Sequence, residues 1–176
     1  NNADKSLRDA SARTQLAQTF QASETVQMDC AVVEMRRNGT PNGNVWLELH
    51  STASGNPTNT LLARSRMKIA QDLGTGNAAY RFEFPVSVVL QSGTTYALVL
   101  AGDFTINASN YVQVRIHNAG TYGSGSAYSF DSTNWNIITG NDFGFACVAW
   151  NQFETHYDTG QDSDFDLRSS SSNDCI

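Results

Sequence analysis

Charge is scarce in this chain, and the little it has runs negative. Only 16% of the 176 residues are charged, with 11 Lys and Arg against 17 Asp and Glu for a formal net charge of −6. The basic residues gather nowhere beyond Arg36-Arg37 and the alternating Arg64, Arg66 and Lys68. The cationic stripe that a phosphate backbone requires is missing, so nucleic acid is set aside as a partner. No apolar run approaches the ~20 residues that span a bilayer as a helix, which sets a membrane aside as well. Residues 1–12 have no apolar stretch and do not read as a signal peptide. Histidine is limited to three isolated residues, His50, His117 and His156. There is no GxSxG, no HExxH and no phosphate-cradling glycine loop. The chain is therefore read as non-enzymatic, with no catalytic residues, no cofactor and no metal. Asp158, Asp162, Asp164 and Asp166 are spaced in the manner of calcium ligands. They lack the central glycine and the closing glutamate of a calcium loop, and read as part of a solvated acidic tail.

Cysteine is also sparse, and its count is odd: Cys30, Cys147 and Cys175. Two readings stay open. All three are free thiols in a reducing compartment, or Cys30 and Cys147 form a disulfide and Cys175, near the C-terminus, pairs with another chain.

What the sequence does contain is period-2 alternation. Ala31, Val33 and Met35 share one parity while Val26 and Met28 share the other, which predicts a bulge near Asp29-Cys30. Val45, Leu47 and Leu49 alternate with Trp46, Glu48 and His50, and Arg64, Arg66 and Lys68 face away from Leu61, Ala63, Met67 and Ile69. Tyr80, Phe82 and Phe84 continue the pattern, as do Val112, Val114 and Ile116 against Tyr111, Gln113, Arg115 and His117. Turn-forming stretches such as Asn38–Gly43 separate these runs. Only Leu7–Gln18 has any helical character. This grammar predicts an all-β, antiparallel, jelly-roll-like β-sandwich of about nine strands. The sandwich should occupy residues 15–151, with an N-terminal arm at 1–14 and a polar, acidic and serine-rich tail at 152–176. Val33, Met35, Val45, Leu47, Leu49, Met67, Phe82, Phe84, Leu98, Val114, Phe143 and Phe145 should fill its core. Glu48 should meet Arg64 or Arg66 across a hairpin.

The outward aromatics are the candidate binding residues. Flat rings stack on the C–H faces of sugars while amides and guanidinium groups bind hydroxyls, so Trp46, Tyr111, Gln113, Arg115 and Trp135 form a candidate glycan-binding set. The competing reading is that a terminal arm or another subunit covers Trp46.

Several segments stand together in a familiar order: Gln18-Thr-Phe20, Met35-Arg-Arg-Asn-Gly-Thr-Pro-Asn-Gly43, Val45-Trp-Leu-Glu-Leu49, Leu61-Leu-Ala63, Phe82-Glu-Phe84, Gly93-Thr-Thr-Tyr-Ala-Leu-Val-Leu100, Ser126-Ala-Tyr128 and Trp135. Over roughly residues 15–150 the chain resembles the jelly-roll β-sandwich modules of tailed-phage virion proteins and bacterial surface proteins, the choice-of-anchor or carbohydrate-binding-like domains. The motifs are turn and core residues, specific for fold and poor for function. The resemblance implies a non-catalytic, extracellular role on a virion or a bacterial cell surface. Two functions follow. One is a structural or decoration component, assembled with copies of itself or other assembly proteins through its terminal arms, with Cys175 at the intersubunit contact. The other is a carbohydrate-binding or adhesion module.

Overall fold

The structure, a computed structural model, describes residues 4–10, 13–118 and 122–149, together with two short strands at 154–155 and 167–168. In chain order the first strands are β1 (Lys5–Leu7), β2 (Gln15–Gln21), β3 (Val26–Asn38), β4 (Asn44–Ala53), β5 (Asn56–Arg64), β6 (Lys68–Ile69), β7 (Ala78–Leu90) and β8 (Thr95–Gly102). They are followed by β9 (Tyr111–Val114), β10 (Ile116–Asn118), β11 (Ala127–Phe130), β12 (Trp135–Ile138), β13 (Asn141–Phe143), β14 (Phe145–Ala149), β15 (Glu154–Thr155) and β16 (Leu167–Arg168). A 3-10 turn at Ala70–Asp72 is the only helical element among the described residues.

Pairing is antiparallel throughout and builds a β-sandwich. One sheet has seven strands in the order β12-β11-β2-β8-β4-β5, with β6 also on β4. The other has five, in the order β1-β9-β3-β14, with β7 also on β3. Moving along the chain from β2 to β4, and from β7 to β9, each strand lies in the sheet opposite its predecessor, which is the expected jelly-roll-like winding. Strand β3 organises the smaller sheet. Its one edge carries β7 from Val26 to Met35, while its other edge is shared, β14 lying along Met28–Val33 and β9 along Met35–Asn38. The handover falls at Glu34. Its N–H bonds to Gly144 O at 2.9 Å, its carbonyl accepts Arg115 N–H at 2.9 Å, and Gly144 N–H closes the set on Arg115 O at 3.1 Å. Beyond that point β9 and β14 leave β3 and run on as β10 and β13, which pair with each other. Space is tight at Gly144, where a Cβ would stand 3.0 Å from His117 Nε2 and 3.4 Å from the Glu34 side chain. The expected turn after β3 is also present. Gly39 sits at φ 61°, where a Cβ would overlap Ser109 O and the Asn110 side chain, so this turn docks closely on the β8–β9 loop.

The core follows the alternation. Val33, Met35, Val45, Leu47, Leu49, Phe82, Phe84, Leu98, Val114, Phe143 and Phe145 are all buried, and residues of both sheets join in one cluster. The register also slips between Met28 and Cys30, where the bulge was expected. Opposite it β7 loops out, so that Phe84, Pro85, Val86 and Ser87 face the single Asp29. Pro85 has no N–H to give to a ladder, and a bulge is where such a residue can sit inside a strand.

Three expectations are corrected. Met67 is 53% exposed, because the chain leaves the sheet between β5 and β6 and crosses toward β7, where Arg66 N–H bonds to Glu83 O at 2.7 Å. The strand parity that pointed Met67 inward ends at that crossing. Of the residues with helical character, Leu7 instead closes β1 and Gln15–Gln18 belong to β2, since a lone helix has no sheet edge to complete while β9 offers one to Lys5–Leu7. That segment of the supposed free arm is therefore part of the sandwich, with Leu7 fully buried.

Gln18 was not singled out by sequence, because alternation marks it only as a polar residue at an inward position of β2. It is 1% exposed and ties the seven-stranded sheet to the β10–β13 pair. Its Nε2 donates to Asp142 Oδ1 at 2.9 Å and its Oε1 accepts Phe143 N–H at 2.8 Å. Replacing it removes the partner of Asp142 Oδ1, leaving that carboxylate the Tyr122 N–H on its other oxygen, and removes the partner of the Phe143 N–H. Gln18→Leu should lower stability by about 2–3 kcal/mol, read as a lower urea midpoint with an unchanged slope.

Candidate functional site

The outer face of the seven-stranded sheet carries a buried ionic centre. Trp46, Glu48 and His50 occupy successive outward positions of β4, and Arg64 faces Glu48 across the hairpin as expected. Glu48 Oε1 accepts Trp46 Nε1–H at 2.8 Å and Arg64 Nε–H at 2.9 Å, with Arg64 Nη2 at 2.7 Å. Its other oxygen lies 2.9 Å from His50 Nε2. The Arg64 guanidinium also covers the Trp46 ring, 5.4 Å from its centroid. Burial by itself would push the Glu48 carboxyl up. The hydrogen bonds from His50, Trp46 and Arg64, with the charge of Arg64, outweigh it and bring the carboxyl down from 4.5 to about 2. A carboxylate held this way is saturated and is a poor proton donor or nucleophile.

His50 links this centre to the hairpin. Its Nδ1 lies 2.7 Å from Thr58 O, and both of its partners, a carbonyl and a carboxylate, can only accept. Thr58 belongs to a bulge. The register slips twice, so that Thr58, Asn59 and Thr60 stand against Ser51 alone. The hairpin also reaches across β8 and β2 to the far side of the face. There Tyr128 Oη–H donates to Asn56 Oδ1 at 2.9 Å and Trp135 Nε1–H to Asn59 Oδ1 at 3.4 Å. Ala17, Ala97 and Val99, on the strands it crosses, are fully buried. Beside this arch lies a transverse row, Trp135–Phe130–Gln15–Ala101–Trp46, one residue from each of five adjacent strands, in which Gln15 and Ala101 stand one residue beyond the Leu16–Leu100 pair that opens the β2–β8 ladder.

The five candidate glycan-binding residues do not form one site. Trp46 and Trp135 share the face just described, both half-buried. Tyr111 and Gln113 lie on β9 of the other sheet, and Arg115 lies just beyond that strand. There Gln113 accepts Arg36 Nε–H at 3.0 Å, Arg115 lies 4.0 Å from Glu34, and Tyr111 packs against the core. Strand parity orients these residues, but it does not say which sheet they belong to. Of the residues that do stand beside the two tryptophans, Phe130 and Tyr128 lie on the strand paired with that of Trp135, whereas Gln15 and Asn59 come from strands remote from Trp135 in sequence.

No disulfide joins Cys30 to Cys147. Cys30 faces Val148 and Cys147 faces Ala31 on the paired strands β3 and β14, so the two are one step out of register. The pleat turns such positions to opposite faces of the sheet, and the bridge lacks its geometry. Burial pushes the Cys147 thiol up to about 12, with a smaller contribution from Cys30. Cys175 and the four spaced aspartates lie outside the described residues. Among the described residues no group of three or more His, Cys, Asp or Glu is placed to hold a metal ion, and no helix is long and apolar enough to cross a membrane.

A second surface was missed by the alternation because it consists of apolar residues at exposed positions. Leu61, Leu62, Met67, Ile69, Val86 and Val89 are 44–75% exposed, and they are six of the eight exposed large apolar residues described. All six belong to β5, β6, β7 and the crossing between them. Here the edges of the two sheets run side by side, since β7 is held only by β3 and β5 only by β4.

Comparison with known proteins returns no match: no family model, no curated protein and no solved structure is similar to the chain.

The ionic centre sets an acid limit on stability. Glu48 has a folded value near 2 against an ordinary 4.5, so its contribution is complete above pH 4.5 and is lost as the pH falls toward 2. That contribution is about 3 kcal/mol. Glu48→Gln should be less stable at neutral pH, and its unfolding free energy should decline less than the wild type's between pH 4.5 and 2, as followed by urea titration across that range.

Proposed function

We propose that this chain is a non-enzymatic structural or decoration component of an extracellular assembly, joined to its neighbours along the β5–β6–β7 side of the sandwich. The observation that carries the reading is the concentration of exposed Leu61, Leu62, Met67, Ile69, Val86 and Val89 on that one side. Single exposed apolar residues are ordinary on any surface, whereas a group of them along open strand edges is characteristic of contact surfaces. Glu83 O is already bonded to Arg66, and Pro85 interrupts the ladder capacity of β7. The contact is therefore made by side chains more than by continuous strand addition. Lys5–Leu7 is committed to its own sheet, which shifts the weight of assembly from the terminal arms to this edge. The setting, a bacteriophage virion or a bacterial surface, rests on the resemblance of residues 15–150. The saturated state of Glu48 and the pairing of Glu34 with Arg115 and His117 favour structural over catalytic use of these groups.

Sedimentation velocity over a concentration series tests the reading. The wild-type protein should self-associate, and Leu62→Asp combined with Val86→Asp should weaken association by about a hundredfold or more while leaving thermal unfolding nearly unchanged. A wild-type protein that stays monomeric throughout, or a double variant that associates equally well, removes it.

A further inference from the structure

We infer that the transverse row Trp135–Phe130–Gln15–Ala101–Trp46 is the floor of a binding site for an extended, uncharged oligosaccharide. This goes beyond the assembly reading and concerns a different surface. Four steps between neighbouring strands separate the two tryptophans, about 19 Å at ~4.8 Å per step. The floor is thus an open strip with a flat indole near each end. Trp135 stacks with Phe130 at 4.8 Å between ring centroids, and Trp46 is held by Glu48 and Arg64. Trp46, Phe130, Trp135 and Gln15 are each half-buried, with part of every side chain at the surface, and only the small Ala101 between them is buried. Rings so fixed present apolar faces without losing rotamer freedom when a ligand arrives, which is the surface that the C–H face of a pyranose stacks on.

Polar groups line the same strip. The Gln15 amide lies in the row, the exposed Asn59 amide sits beside Trp135, and Arg64 has 46% of its side chain exposed beside Trp46. Amides both donate and accept, as sugar hydroxyls do, and suit them better than one-sided charges. Charge decides between neutral and acidic glycans. Glu48 is buried and saturated, and Arg64 is already bonded to it through Nε and Nη2, while the Asp131 carboxylate in the turn between Phe130 and Trp135 is held by Asn136 Nδ2 and the N–H groups of Thr133 and Asn134. An acidic sugar would have no free cation to meet here, whereas a neutral chain loses nothing.

The test is a glycan array carrying neutral and acidic oligosaccharides, followed by tryptophan fluorescence titration with whichever neutral glycan is retained. Wild-type protein should bind extended neutral glycans and change its emission, since Trp46 and Trp135 are two of the three tryptophans in the chain. Trp135→Ala should weaken binding by about tenfold or more, while Trp135→Tyr, which keeps a flat ring, should retain much of it. Gln15→Ala, which leaves the aromatic packing intact, should weaken it several-fold and serves if Trp135→Ala fails to fold. Arg115→Ala, just beyond β9 of the other sheet, and the Leu62→Asp, Val86→Asp protein should bind as the wild type does. The proposal is overturned if no neutral glycan is retained, if only acidic ones are, or if Trp135→Ala and Gln15→Ala bind unchanged. Loss of binding in Arg115→Ala would overturn it as well, by moving the site to the other face.

Discussion

A 13-residue strand has two edges of amide and carbonyl groups to satisfy, and β3 meets that demand with three partners. Buried backbone groups cannot be left unpaired, so where β14 ends on one edge of β3 another chain segment must begin. The three bonds among Glu34, Arg115 and Gly144 are that handover, and most of the smaller sheet's geometry follows from it. They turn β10 and β13 away from β3 as a separate pair. In doing so they bring Asp142 and Phe143 within reach of Gln18 on the seven-stranded sheet. A backbone requirement in the smaller sheet is thereby converted into a polar tie between the β10–β13 pair and the larger sheet.

The larger sheet solves a different problem on its outer face. A carboxylate there is 5% exposed, a costly position unless opposite charge and hydrogen bonds surround it. Glu48 has both. Its partners, in turn, are fixed by it: the indole of Trp46 is oriented, Arg64 is laid across that ring, and His50 is aimed at the carbonyl of Thr58. The hairpin bulge consequently has an anchor at its base in His50 and two at its far end in Tyr128 and Trp135. Removing one partner from such a centre leaves an uncompensated buried charge, which makes the whole arrangement rigid and intolerant of change. Rigidity is what a binding surface of fixed aromatic rings needs, so the acid sensitivity of the fold and the order of the aromatic row share one cause.

The two candidate surfaces divide the molecule by chemistry. The β5–β6–β7 side is apolar and lies where sheet edges are open, a combination suited to another protein. The row of rings and amides runs inward across the face of the seven-stranded sheet from its edge strand β12, and it offers side chains in place of ladder groups. A module with both could be held in an array by its side while its face stays accessible.

Much of the fold was legible in the sequence, because burial in a strand has a period of two and that period is visible in any strand of five or more residues. The inward parity of Val45, Leu47 and Leu49, the bulge beside Asp29, the turn after Asn38 and the pairing of Glu48 with Arg64 all follow from local patterns or from a short hairpin connection. Parity states which residues share a face, but not which sheet that face belongs to or which strand lies next to it. Those are matters of contact between residues far apart in the chain. Hence Trp46 and Trp135 stand at two ends of one row, while Tyr111, Gln113 and Arg115, equally outward by their own pattern, lie on the other side of the molecule. Hence also the exposure of Met67 at a crossing between sheets, the burial of Leu7 on an edge offered by β9, and the burial of Gln18 against β13. The sequence by itself determined an all-β chain with one continuous apolar surface per strand. The tertiary structure alone decided which polar and aromatic residues meet, since only long-range strand pairing sets the neighbours across a sheet.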